Sequence, residues 1–201
     1  MGGMDPRALR SRTALRGAVL ALAEQTPVAS LTVAEVCRHA GVTRDTFYRH
    51  ASGPTELLAA ALAAEIEALP ERDRLGDAER DLIVHIHARR EVYRHAMSPT
   101  LAAPVRAQLE RVLAEGLHAW LDEHPDLAPE PVRTDAAARD IAVAYAAGGT
   151  VAALEAWLRR GDDAGAAVHP GDDIESATRA ILVASPEWWL RTRGRDERRE
   201  P

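Results

Sequence analysis

Between Leu31 and His50 the chain spells two short helices joined at a fixed corner. Thr32 is followed three residues later by Glu35, the pattern of a capping box. There the hydroxyl and the carboxylate each take a backbone N–H that a helix start leaves unpaired. Val33, Val36, Cys37 and Ala40 then recur on one helical face. Gly41 stops this helix and supplies the left-handed backbone of a tight turn. Thr43 can cap the next helix, predicted from Thr43 to about His50, with Val42 and Phe47 facing back toward the first. Two helices held this way have a rigid apolar back and leave Arg44, Asp45, Tyr48 and Arg49 facing outward.

The rest of the chain also reads as helix. Ala and Leu dominate an apolar content of 46%, while aromatics are only 4%. Such a set favours helix over strand and suffices for a core. A first helix is predicted from Asp5 or Pro6 to Gln25, with Leu15, Ala18, Val19 and Leu22 on one face, ended by Pro27. Ser52-Gly53-Pro54 breaks the chain and starts a fourth helix, Pro54 to Leu69, closed by Pro70. Longer helices are predicted over 77–97, 101–123, 132–160 and 172–184, with breaks at Pro99, 124–131 and 161–171. Residues 191–201 read as a charged, frayed end. The expected organisation is a helix-turn-helix domain over 5–52, a larger helical domain over 53–190, and that charged tail.

Charge and cysteine usage narrow the functional classes. Net charge is −6, but residues 1–52 carry +3 and the remainder −9, and every basic side chain is Arg. A basic head on an acidic body can still meet phosphates, because exposed charges beyond about 10 Å are screened in ~0.1 M salt. The single cysteine, Cys37, excludes an internal disulfide and suits a reducing, cytoplasmic setting; on the apolar face of its helix it reads as a small packed hydrophobe. No signal-peptide core opens the chain, and no apolar run is expected to approach the length of a membrane span. Ser98, Ser176 and Ser185 have no His and Asp arranged around them, and no Gly-rich phosphate loop occurs, so an enzyme is not expected. His87, Glu91 and His95 would share a face of the 77–97 helix, but three such residues without supporting groups do not make a metal site, and no cofactor is expected.

A helix-turn-helix lays its second helix in the major groove while the first braces it across the backbone. Arg44 could fork onto guanine O6 and N7, worth roughly 1–3 kcal/mol of discrimination. Thr43, Thr46, Tyr48 and His50 carry donors suited to phosphates, which fix register without reading sequence.

These residues carry a resemblance. L-T-V-A-E-V-C-R-H-A-G-V-T, T-F-Y-R-H and T-E-L-L, within residues 10–60, resemble the DNA-binding domain of the TetR (tetracycline-repressor-like) family of transcriptional regulators. The A-A-G-G-T-V-A-A-L-E-A-W-L-R-R-G segment at 146–161 is similar to a late helix that many members use to dimerise. The resemblance implies an all-helical protein whose N-terminal three-helix domain precedes a larger helical bundle. It implies base contacts at Arg44, Asp45, Tyr48 and Arg49, and phosphate contacts at Thr32, Thr43, Thr46 and His50. Two positions depart from the family's habit: Ala51 stands where an aromatic or large apolar residue is common, and Pro54 where a Lys often binds phosphate. They imply weaker binding, or reliance on Arg12, Arg16 and the N-terminal arm.

The body is expected to hold a small-molecule effector, with Tyr93, Met97, His118 and Trp120 as candidate lining. The acidic balance suits a cationic or neutral ligand. Ala144, Ala147, Gly148, Val151 and Leu158 form one stripe, and Ile174, Ala177, Ile181 and Leu182 another; together they are the candidate two-fold interface of a homodimer. The expected protein is a ligand-released repressor acting as a homodimer on a palindromic operator. The rival readings are a dimeric small-molecule sensor with weak or lost DNA binding and, in third place, a helical enzyme.

Overall fold

A computed structural model describes residues 6–160 and 170–190. The charged end at 191–201, most of the break at 161–171, and Asp5 lie outside the described residues. The described chain is all-helical and forms no strand: α1 Pro6–Ala23, α2 Val33–Ala40, α3 Arg44–Tyr48, α4 Pro54–Glu67, α5 Leu75–Ala88, α6 Arg90–His95, α7 Ala103–Glu123, α8 Glu130–Thr134, α9 Ala136–Arg160 and α10 Pro170–Ala184. Short 3-10 turns at Val28–Ser30, Pro125–Leu127 and Glu187–Leu190 fill connections.

Two predicted helices are each two helices. The segment 77–97 breaks at Arg89, whose φ of −106° and ψ of 20° leave the helical region. His87 therefore lies on α5 while Glu91 and His95 lie on α6, and the shared face proposed for them does not exist. The segment 132–160 breaks at Asp135, which is extended, and its Oδ1 accepts a 2.9 Å bond from the Ala137 amide. That is an N-cap in all but name: a short carboxylate satisfies an orphan N–H at the start of α9.

The chain packs as two compact units. The first comprises residues 1–68 and 88–109, the second residues 69–87 and 110–201. These units follow packing rather than the boundary expected at 52/53, because α4 lies against α1 and α6 also touches α1. In the first unit Leu15, Val19, Val36, Phe47, Leu58, Val92 and Tyr93 are wholly buried. In the second, Trp120, Leu121, Ala128, Val143 and Trp189 form a core. Its rings are stacked: Trp120 on His124 at 4.7 Å and Trp188 on Trp189 at 4.4 Å.

Contrary to the expectation that no apolar run approaches a membrane span, α9 is long and apolar enough, by length and composition, to cross a bilayer, with a window of mean hydropathy 1.4. Its Val143, Ala147, Val151, Leu154 and Leu158 are instead buried in protein, beside α8 and α10.

Candidate nucleic-acid interface

The expected capping box is present. The Thr32 hydroxyl accepts from the Glu35 amide at 3.3 Å, and Glu35 Oε2 accepts from the Thr32 amide at 2.9 Å. These bonds hold the Glu35 carboxyl below the usual carboxylate range, the Thr32 side chain contributing most. The Thr32 hydroxyl also donates to that carboxylate at 2.6 Å. Its proton is therefore committed inside the cap and not offered outward.

The corner follows. Gly41 has φ 67° and ψ 33°, and its amide donates to the Cys37 carbonyl. Non-glycine residues rarely adopt that backbone. Thr43 caps α3 by accepting from the Thr46 amide at 3.2 Å. Phe47 is wholly buried and meets the Tyr48 ring edge-on at 5.5 Å.

One buried ring thus roots a five-residue helix whose other side is free. Arg44, Asp45, Tyr48 and Arg49 are all exposed, Tyr48 by 59%. Asp45 lies in the first turn of α3, where a carboxylate favours the helix dipole. Arg49 is folded back: its Nε donates to the Asp45 carbonyl and its Nη2 to the Thr46 hydroxyl, each at 3.3 Å. Thr43 and Thr46 share a hydroxyl–hydroxyl bond of 3.0 Å. The base-contact candidates therefore sit together on one short helix, with Thr43 and Thr46 at its start and half-buried His50 just past its end.

The pocket candidates are divided between the two units. Tyr93 is wholly buried and, with Met97, belongs to the first unit; His118 and Trp120 belong to the second. Burial first, then the charge of Glu65, push the Tyr93 phenol pKa up, so it is a neutral core group. In the interface set, Val151, Leu158, Ala177 and Ile181 are buried within this chain, and Ile174 is partly covered. Ala144 is exposed and Gly148 half-buried. The free stripe of α9 is instead Ile141, Ala144, Tyr145 and Ala152, and α10 leaves Val183 outward. Periodicity named the packed stripe of α9 and passed over Ile141 and Tyr145.

Residues 16–61 match the model of "Bacterial regulatory proteins, tetR family". That span covers the last eight residues of α1, all of α2 and α3, and about half of α4. Among solved structures, a TetR transcriptional regulator from Rhodococcus sp. RHA1 is similar at 17% identity and TM-score 0.58, covering 89% of this chain and 98% of that one. A dihydroxyacetone kinase operon activator, DhaS, aligns at 13% identity and TM-score 0.58, covering 87% and 96%. The fatty acid degradation regulator FadR from Bacillus halodurans aligns at 12% and TM-score 0.54, covering 90% and 97%. No curated protein sequence matches the chain significantly. The N-terminal segment thus matches the tetR family model, and the fold is similar to that of TetR-family regulators.

Proposed function

From a tetR-family segment carried on a TetR-like fold, we propose that this protein is a homodimeric, sequence-specific DNA-binding regulator, with α3 of each subunit in a major groove of a palindromic operator. The carrying observation is the exposed α3 face, Arg44, Asp45, Tyr48 and Arg49, rooted by the buried Phe47. Arg44 makes no hydrogen bond or ion pair among the described residues and is available to a base edge. Arg49 reaches one only by leaving Asp45 and Thr46. Thr43, Thr46 and His50 serve phosphates, and Thr32 joins them only by giving up its bond to Glu35.

Dimerisation is supported by the apolar side chains that α9 and α10 leave in water, Ile141, Tyr145 and Val183. One five-residue reading helix per subunit is also too little for adequate affinity alone. An effector site is proposed in the second unit. His87 Nδ1 and Trp120 Nε1 are buried there without hydrogen-bond partners, and the His87 ring lies against Trp157 at 6.1 Å. A ligand releases DNA only through a difference in its affinity for the two arrangements of the dimer. Repression is the proposed sign; DhaS, of similar fold, is described as an activator. A reporter driven from the operator decides it.

The test is fluorescence anisotropy with duplexes from the DNA upstream of the gene. The expected result is one duplex preferred over scrambled sequence, with affinity falling steeply as salt rises. Equal binding to every duplex, or none, overturns the reading.

A further inference from the structure

In the first unit, the segment 88–109 packs with residues 1–68 although 19 residues of the other unit intervene. One polar attachment is Arg89. The guanidinium forks onto Glu65 of α4, Nε to Oε2 at 3.0 Å and Nη2 to Oε1 at 2.6 Å. Nη1 takes Glu24, just beyond α1, at 3.0 Å. A planar fork suits two carboxylates in fixed directions as an ammonium cannot. Six residues on, His95 Nδ1 lies 2.7 Å from the carbonyl of Ala23, the last residue of α1. Val92 and Tyr93 between them are wholly buried. Arg89 also stands where the expected single helix breaks, so the break brings this side chain to both carboxylates.

Both helices it joins bear on the reading corner. α1 packs on α2, α2 on α3, and α4 on α1 and on the turn that leads into α2. We infer that Arg89 is a positioning residue for DNA recognition: by bridging Glu65 and Glu24 it fixes α1 against α4, and so sets the stance of the α2–α3 corner. This rests on the DNA-binding reading.

The experiment compares the full chain with Arg89→Met, Arg89→Lys, Glu65→Gln and Arg44→Ala. Anisotropy is read on the preferred duplex and on a scrambled one, with melting temperature beside it. Arg89→Met is expected to weaken the preferred duplex at least tenfold and the scrambled duplex less than twofold, because the phosphate-binding charges stay in place. Arg89→Lys, which keeps the charge and loses the fork, falls between Met and the parent. Glu65→Gln, which keeps Arg89 and Glu24, reproduces the direction and serves if Arg89→Met does not fold. Folded variants that keep the parent's preference within twofold overturn the inference, as does a loss equal on both duplexes. If the parent itself prefers no duplex, the DNA reading has failed first. If Arg44→Ala loses preference while the Arg89 and Glu65 variants keep it, only this inference has failed.

Discussion

Phe47 and Tyr48 are neighbours with opposite duties. Phe47 is wholly buried and Tyr48 is more than half exposed, their rings edge-on. Truncating a buried Phe costs about 3–5 kcal/mol. Phe47→Ala should therefore lower the urea midpoint of the first unit and abolish selective binding, whereas Tyr48→Ala should lose selectivity with the midpoint unchanged. If Phe47→Ala left stability alone, the ring would not be the root of α3. Glu79, on α5, is a different sort of residue. Its Oε1 is buried without a partner, and desolvation pushes the carboxyl up to about 7 from 4.5. A carboxyl raised on folding favours the native state only while protonated, so stability falls as pH rises from about 4.5 to about 7 and stays low above. Glu79→Gln should stabilise by about 1–3 kcal/mol above neutrality and converge with the parent at about pH 4, read from urea midpoints across pH. Equal midpoints at about pH 8 would contradict this.

At the scale of the element, what was legible in the sequence was whatever is decided within four residues. The capping box at Thr32 and Glu35, the left-handed Gly41 and the Thr43 cap are all present, because each is a local bond or a local dihedral. A Cβ at Gly41 would meet nothing within 4 Å, so replacing it costs only backbone strain. Gly41→Ala should destabilise by about 1–2 kcal/mol and Gly41→Asn by less, measured by thermal melting. Although missed, the break at Asp135 was open to the same local reading, as an Asp before an Ala-rich run. The break at Arg89 was not, for no Gly or Pro marks it; its partner Glu65 lies 24 residues away, and no local rule reaches that far. The base-contact candidates are neighbours because they lie on or just past one short helix. The proposed pocket lining was chosen by residue type along the chain, and its members fall in two units.

For the whole molecule, the question is which apolar surface remains once each chain has packed itself. Hydrophobic periodicity reports that a helix has an apolar face, not which neighbour covers it; α9 has two such faces. Val143, Ala147, Val151, Leu154 and Leu158 are inside, while Ile141 and Tyr145 are 71% and 72% exposed, and Val183 on α10 is 81% exposed. Isolated exposed apolar residues are ordinary, but large ones repeated along one helical face mark an interaction surface. If a second copy covers them, a charge there must be desolvated unpaired on association, which costs several kcal/mol. Tyr145→Glu combined with Val183→Glu should leave the melting of the single chain nearly unchanged, since neither side chain is packed in it. The pair should shift sedimentation velocity from a dimer to a monomer at micromolar protein. Binding to a half-site should persist while the advantage of a full palindrome over a half-site disappears, because that advantage comes from linking two heads rather than from any new contact. A double variant that still sediments as a dimer and still prefers the palindrome would place the subunit contact elsewhere on the molecule.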